Sequence, residues 1–525
     1  MDPSVFNITS LLPPSVTFLK RLRDLIPPGS DIVLSTLSSF LDDFLTNVFH
    51  PQLEETLVEF CSQSFMQADA FQEHPQWAIY APRPVSRSCV SFFEVISAFS
   101  RTLDELNHDQ QFTQLVIKQM NTYHERCISY YRTLVTRARP RSGEGNDQSS
   151  LKASAQLAES AEMAAAMNSI WNHTSSTETM QRDVARAIMT NNALLALDEL
   201  DLISDIRTQQ ALCLLFTSMR WTAVKLNSLR QISPFAAEED HAGLETDELD
   251  ERPQLKRTLT RAIATHDTRL SDESIHLPLS ASTAALFDGI VSAFRELSDT
   301  TLRALRLEMR CQAIFALRDS FTGSLLYSLP PSIPGAATNT STAANKNAQS
   351  PPPTDTADAP DESLLTLIST LLDLHKTVTS VLASADQSRV TTGLSTTIDG
   401  AILHFLTSTT SPPTATRSRT LTALNPPAAA HLLTNVRVLH HNLLNIEPSS
   451  SLPRTTAFLE LFLQGLGAIT AQTAAVAQGK AKSGMDKEEL RALVRLYYSE
   501  GMASRDQAVA GNARANMGEE LRMLG

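Results

Sequence analysis

The chain has 525 residues, 42% of them hydrophobic, which is enough for a sizeable core and, at roughly 100–200 residues per domain, for two to four packed units. The formal net charge of −13 disfavours nonspecific nucleic-acid binding, which rests on Lys and Arg neutralising phosphates. Only 17 residues are glycine, about 3% against a typical ~7%, so tight turns and hairpins are expected to be few.

Along the chain, Pro27 and Pro28 stop a first short segment, and Ser30 or Asp31 can cap the helix that follows. Leu37, Phe40, Leu41, Phe44 and Val48 recur at three- and four-residue steps, the pattern of one apolar helix face, and read as core rather than site. Pro51 removes one helical hydrogen bond and clashes with the preceding turn. A kink or brief break is therefore expected before Leu53, Leu57 and Phe60 resume the stripe. HPQWAIYAPRP, residues 74–84, reads as a loop. A helix over about 85–106 carries Phe92, Val95, Ile96, Phe99 and Leu103. Another over about 110–136 carries Phe112, Leu115, Val116, Met120, Tyr123, Cys127, Tyr130 and Leu134. These make an N-terminal helical bundle over 1–138, followed by a polar linker at 139–150.

Helical periodicity returns over 151–232, where Leu212, Leu215, Met219 and Leu226 share a face. Residues 234–251 hold eight acidic groups and no Lys or Arg, and read as a solvated acidic loop, with docking to a basic partner as the alternative. Residues 281–329 read as one bent helix or two. Leu286, Ile290, Phe294 and Leu297 mark its first stripe, and Leu302, Leu305, Met309, Ile314, Leu317 and Phe321 continue it. A central bundle thus spans 151–329. The Pro/Thr/Ala-rich insert at 330–362 is expected to be disordered, because it buries too little apolar surface to offset its ordering entropy. A C-terminal bundle over 363–525 has helices at 363–384, 391–407, 425–446, 454–477 and 486–523, with breaks at 410–420, 447–453 and 478–486. No alternating strand pattern and no fixed repeat period intervenes. The fold class is all-α, an elongated rod of stacked helical bundles with disordered loops.

The chemical signals are few. GKAKS at 479–483 approaches a phosphate-binding loop, but Ala474 stands in place of its first glycine and Ala481 in place of its metal-binding hydroxyl. His440 and His441 are adjacent, so they point to different sides of a helix and make a poor metal pair. Asp198, Glu199 and Asp201 lack the glycine and spaced ligands of a calcium loop and read as a solvated face. Arg137, Arg139 and Arg141 flank the linker and form too short a run for strong anionic-lipid contact. Cys61, Cys89, Cys127, Cys213 and Cys311 contain no CxxC pair, which suggests neither a zinc site nor a disulfide framework and fits a reducing, cytosolic compartment. Four of them sit in apolar helical runs; the setting of Cys89 is less clear from sequence. No signal peptide is recognisable, and LFLQGLGAITAQTAAVA at 461–477 is too short and too polar to span a bilayer, so membrane association is expected to be peripheral. No catalytic set, cofactor site or metal site is proposed by the residues.

Four segments carry a resemblance. They are SFLDDFLTNVFHPQLEETL (39–57), ALCLLFTSMRWTAVKL (211–226), LRLEMRCQAIFAL (305–317) and LNPPAAAHLLTNVRVLHHNLLNI (424–446), the last with Asn435, Leu439, Asn442 and Leu443 in an Asn-x-x-x-Leu-x-x-Asn-Leu pattern. In this order, and over roughly residues 5–525, they resemble the C-terminal half of exocyst complex component 4, the Sec8 subunit, in its fungal form. The resemblance implies a non-enzymatic helical-rod subunit of the exocyst, which tethers post-Golgi secretory vesicles at the plasma membrane before fusion. It implies other exocyst subunits as partners, with small GTPases and membrane-fusion proteins as further contacts, and recruitment from the cytoplasm to sites of secretion. Family members are about twice this long, and their N-terminal part supplies much of the coiled-coil assembly with sister subunits. A subunit of another helical-rod tethering or cargo-adaptor complex is the alternative, and a helical enzyme or lipid-transfer protein a more distant one.

Overall fold

The structure, a computed structural model, describes residues 14–15, 17–18, 21, 43–106, 110–137, 151–172, 177–190, 197–232, 276–323, 360–408, 424–477, 485, 487–502 and 506–523. The expected cap at Ser30 or Asp31, the stripe positions Leu37, Phe40 and Leu41, the linker 139–150 and the acidic loop 234–251 lie outside these residues. So do the break 410–420, the GKAKS segment and all of 330–362 except its last three residues. The fold is all-α and divides into two compact units, each made of two chain segments: Met1–Thr136 with Gln210–Leu302, and Arg137–Gln209 with Arg303–Gly525.

Unit 1 begins, among the described elements, with a π-helical turn, Leu45–Phe49, that runs directly into α1, His50–Met66. Pro51 sits in the first turn of α1, where its missing N–H leaves no hydrogen bond unmade within the helix. The expected break is therefore a change of helical pitch immediately before the proline, a common way to absorb such a lesion. Leu53, Leu57, Cys61 and Phe65 form the buried face, while Phe60 is 40% exposed. At about 100° per residue Phe60 lies about 80° from the centre of that face, at its edge, so the sequence stripe drifted one position from Phe60 to Cys61. Phe44 is half-buried and Val48 exposed.

The loop 74–84 contains one short helix, α2, Trp77–Tyr80, and is pinned by its backbone. Thr217 Oγ1 donates to the Pro84 carbonyl at 2.6 Å, Trp221 Nε1 to the Tyr80 carbonyl at 3.1 Å, and the Ser86 N–H to Ser218 Oγ at 2.8 Å. Helices α3, Arg87–Leu106, and α4, Gln110–Val135, pack on α1 and on each other. Phe92, Ile96, Phe99, Val116, Met120 and Cys127 are buried as their spacing requires. Tyr123 is the centre of this core: its ring stacks on Phe92 at 4.2 Å and lies 6.0 Å from Phe294, and its hydroxyl shares a hydrogen bond with Ser88 at 3.1 Å. Burial holds its phenol well above the usual value. Tyr131 and Val135, rather than Tyr130 and Leu134, are fully buried at the end of α4.

The next long helix, α8, Ile206–Ser228, buries Leu212, Leu215, Met219 and Leu226. Its end departs from the all-helix pattern: β1, Arg230–Ile232, pairs in parallel with β2, Leu277–Leu279, with Arg230 opposite Leu277. Leu277 and Leu279 are fully buried, with β2 packed on α3 and α4. Arg230 grips Asp288 through two hydrogen bonds of 2.7 and 2.8 Å. Ser280 and Thr283 then exchange side-chain-to-backbone bonds of 2.8 and 3.1 Å, which cap α9, Ala281–Gly323. This is one uninterrupted helix, whose residues to Leu302 belong to unit 1 and those from Arg303 to unit 2. Phe287, Val291, Phe294 and Leu297 form its first buried stripe; Leu286, expected in it, is 58% exposed.

Unit 2 holds α5, Ala153–Glu159, α6, Ala161–Asn172, and α7, Thr177–Thr190, each packed on the next. Beyond α9 come α10, Glu362–Val381; α11, Ser384–Thr391; α12, Leu394–Ser408; and α13, Pro426–Leu443. They are followed by α14, Pro453–Gln464; α15, Leu466–Ala477; α16, Lys487–Tyr497; α17, Ser499–Met502; and α18, Gln507–Met523. Helix α12 is central, packing on α7, α14 and α16, while α13 packs on α10 and α14. The expected single helix over 454–477 is two, because Gly465 turns the chain at φ +87°, a conformation L side chains rarely adopt. Asn435 is buried and ties α13 to the start of α10: its amide nitrogen donates to Asp361 Oδ2 at 2.8 Å.

Candidate functional site

Among the described residues singled out for chemistry, Arg137, Asp198 and Asp201 come together, while the two histidines lie elsewhere. Asp198 and Asp201 form a capping box around the 3₁₀ turn Glu199–Asp201, and Arg137 pairs with both at 3.0 and 3.4 Å. Asp198 and Glu199 are exposed, as expected of a solvated face, but Asp201 is only 3% exposed and the Arg137 side chain only 6%, so that end of the group is a structural ion pair. Arg139 and Arg141 lie outside the described residues. His440 places Nε2 3.0 Å from the Ser450 carbonyl, whereas His441 is exposed, so the pair diverges as its spacing requires. Among the described residues no group of three or more His, Cys, Asp and Glu is placed to hold a metal ion.

All five cysteines are free thiols and buried. Burial pushes Cys61 and Cys213 up to about 12 and Cys89 to about 11. Such thiols stay protonated at neutral pH and are poor nucleophiles. Cys89, whose setting the sequence left open, donates Sγ–H to the Ser86 carbonyl at 3.1 Å at the start of α3.

The dominant polar feature is one the apolar stripe concealed. Arg303, Arg306, Glu308, Arg310 and Gln312, all on α9, are each at most 4% exposed. The three arginines stand three and four residues apart, hence on one face, and each meets the end of another helix. Arg303 Nε donates to the Ala158 carbonyl, in the last turn of α5, at 3.2 Å. Arg306 donates to the Arg389 carbonyl. Arg310 donates to the Val390 carbonyl at 3.0 Å and the Thr392 carbonyl at 2.8 Å. The last carbonyls of a helix have no partner within it and carry partial negative charge, so guanidinium forks both satisfy and neutralise the end of α11.

The chain then turns through Gly393, at φ +81°, into α12. There the polarity inverts. Glu447, 5% exposed, accepts from the Gly393 N–H at 2.6 Å and the Ser395 N–H at 3.0 Å, an anion at a helix N-terminus. Cations thus close one helix and a carboxylate opens the next across a two-residue joint. Burial lowers Arg310 to about 10, with Glu447 opposing the shift, and lowers Arg306 further, because Arg310 repels it. EPSSSLP, expected as a simple break, therefore supplies a buried structural anion.

A second knot fixes the chain ahead of α8. Glu308 Oε1 accepts from the Ile203 N–H at 2.7 Å and from Gln312 Nε2 at 2.9 Å. Gln312 and Gln209 both donate to the Ile203 carbonyl, at 3.1 and 2.7 Å. These groups hold backbone and present no nucleophile to solvent; what they do is set the angles at which helices follow one another. The sequence signal that could have found them is the Arg-x-x-Arg-x-x-x-Arg spacing inside a helix whose other positions are leucine, alanine and methionine.

Unit 1 carries a surface groove of about 410 Å³ between α2, α3 and α8. Phe93 and Trp221 form its floor in a T-shaped contact at 5.5 Å, and Lys225 Nζ lies 5.9 Å from both ring centres. Arg101 and Glu94 stand at its rim.

No family model matches the chain. A curated protein of Neurospora crassa, named as a probable exocyst complex component sec8, is 31% identical over 563 aligned positions, which cover 99% of this chain and 47% of that protein. The chain spans about half the length of this relative.

Proposed function

Since the chain is a homologue of the exocyst component Sec8 along 99% of its length, we propose that it acts as a non-enzymatic exocyst subunit. The observation that carries this reading is the span of the identity, which runs through both compact units rather than one segment. The all-α architecture supports it, because helices joined at fixed angles by buried arginine–carbonyl contacts present persistent side-chain faces to other helices. In this role the chain contributes to holding secretory vesicles at the plasma membrane before fusion. Its partners are other exocyst subunits, with small GTPases and fusion proteins as further contacts. No helix among the described residues is long and apolar enough to cross a membrane, which is compatible with recruitment through partners.

Affinity purification of the tagged chain from its own cells, followed by mass spectrometry, tests the proposal. Stoichiometric recovery of exocyst subunits is expected. Recovery of the chain alone while the exocyst stays intact, or with the subunits of a different tethering or cargo-adaptor complex, would overturn it.

A further inference from the structure

The groove in unit 1 is not consumed by the packing of its own helices. Val90, Phe93, Ser97 and Arg101, at steps of three and four residues, share one face of α3 with Glu94 and Ala98, and all line the groove. Its volume falls within the range of sites that take a small ligand or one or two side chains. Apolar shoulders flank it: Ile79 is 74% exposed, and Val224, beside Lys225 on α8, is 62% exposed.

Charge decides what the groove suits. The lining contains two cations, Arg101 and Lys225, and one carboxylate, Glu94. Glu94 is already engaged by the Tyr80 hydroxyl, a hydrogen bond that raises the Tyr80 phenol. No ion pair of Arg101 or Lys225 occurs among the described residues, so the rim is positive on a chain whose net charge is −13. An aromatic floor and a positive rim call for an occupant that is apolar at one end and anionic a few ångströms away.

We infer that this groove binds an acidic peptide segment of another polypeptide. An aromatic or long aliphatic side chain of that segment enters between Phe93 and Trp221, and neighbouring carboxylates meet Arg101 and Lys225. A lipid surface is a poorer match: electrostatic membrane recognition uses clusters of four to eight Lys or Arg on an open face, and here two cations border a concavity. The chemistry of the groove is independent of which complex the chain enters.

The experiment is selection of the full chain against a phage-displayed library of random dodecapeptides, with the strongest clone remade as a fluorescent peptide for anisotropy. Enriched clones should pair an aromatic residue, Leu, Ile or Met with Asp or Glu within about three positions. The Arg101→Glu/Lys225→Glu double variant should weaken binding about tenfold and shift selection toward basic peptides. Trp221→Ala should weaken it about thirtyfold, as loss of a buried aromatic anchor does. Because Trp221 also holds the Tyr80 carbonyl, the rim variants, with unchanged circular dichroism and melting, are the decisive ones. Enrichment of clones without acidic residues, equal binding by the double variant, or no enrichment would overturn the inference. Sedimentation with phosphatidylserine vesicles that depends on Arg101 and Lys225, with no peptide enriched, would assign the rim to lipid and overturn it equally.

Discussion

Arg310→Met removes the guanidinium fork from the α11–α12 joint while keeping a long unbranched side chain in its place. The carbonyls of Val390 and Thr392 lose donors at 3.0 and 2.8 Å, and each buried acceptor left unmade costs about 1–3 kcal/mol. In the opposite direction, the wild-type charge is itself disfavoured by burial. Its pKa falls from 12.5 to about 10, which at 1.36 kcal/mol per unit is about 3 kcal/mol regained when the charge is deleted. Hydrogen bonds alone would therefore leave the substitution close to neutral or only moderately destabilising. The attraction of Glu447 is already contained in that shift, and after the substitution Glu447 keeps the Gly393 and Ser395 N–H groups and the nearby Arg306. Two unmade acceptors set against the charge regained leave an expected net loss of about 1–2 kcal/mol. Glu447→Gln keeps an oxygen for the Gly393 N–H but removes the charge that attracts Arg310. The double variant should accordingly be more stable than the sum of the single losses by about 0.5–3 kcal/mol.

Hydrogen exchange by mass spectrometry suits the test, because it reads local opening without assuming that two units unfold together. In Arg310→Met, peptides within 384–408 should lose protection by about tenfold, the equivalent of ~1.4 kcal/mol. Protection within about twofold of wild type would refute the claim that Arg310 holds the joint. Strict additivity with Glu447→Gln would refute the claim that the two charges act together.

Gly393→Ala should lower stability by about 1–2 kcal/mol, since its φ of +81° is disfavoured for L residues and a Cβ would lie 2.9 Å from Gln181 Cδ. Gly465→Ala, at φ +87° and ψ −174°, should cost about 1–3 kcal/mol. Gly400→Ala, with no atom within 4 Å of its Cβ, should instead stabilise α12 by about 0.5–1 kcal/mol. Chemical denaturation of the three variants checks all of these, and a neutral Gly393→Ala or Gly465→Ala would show that the positive φ is not required. Burial raises the Glu308 carboxyl against the pull of Ser154, Gln312 and the Ile203 N–H. The folded state then holds that proton more tightly than the unfolded state. The stabilising contribution is present below the unfolded value of about 4.3 and is lost as pH rises through the folded one. Glu308→Gln, neutral at every pH, should gain stability relative to wild type as pH rises from about 4 toward neutrality. A flat or opposite difference in denaturation midpoints across that range would contradict the sign.

The helices were legible because apolar spacing is a local property. Leu212, Leu215, Met219 and Leu226 share a face whatever they pack against, and all four are buried. Local chemistry also placed the disturbance at Pro51, although not its form as a π-helical turn. Errors came at the edges of stripes. Phe60 and Leu286 fit the spacing but face solvent, because the width and centre of a buried face depend on the partner helix rather than on the sequence of one helix. The division into units composed of non-consecutive segments was equally beyond local reading, as was the parallel pairing of Arg230–Ile232 with Leu277–Leu279 across a long separation.

The polar interior shows the limit most clearly. By residue type Arg303, Arg306, Glu308 and Arg310 belong to a solvated stripe, since charges are buried only when partners compensate them. Their partners are backbone carbonyls and N–H groups at Ala158, Ile203, Arg389, Val390 and Thr392, invisible in sequence because every residue has them and only helix ends leave them open. The sequence by itself thus determined the helical elements and carried the similarity to the Neurospora crassa protein. Only the tertiary structure decided which helix ends meet which charges, because that match depends on where separate chain segments come together in space.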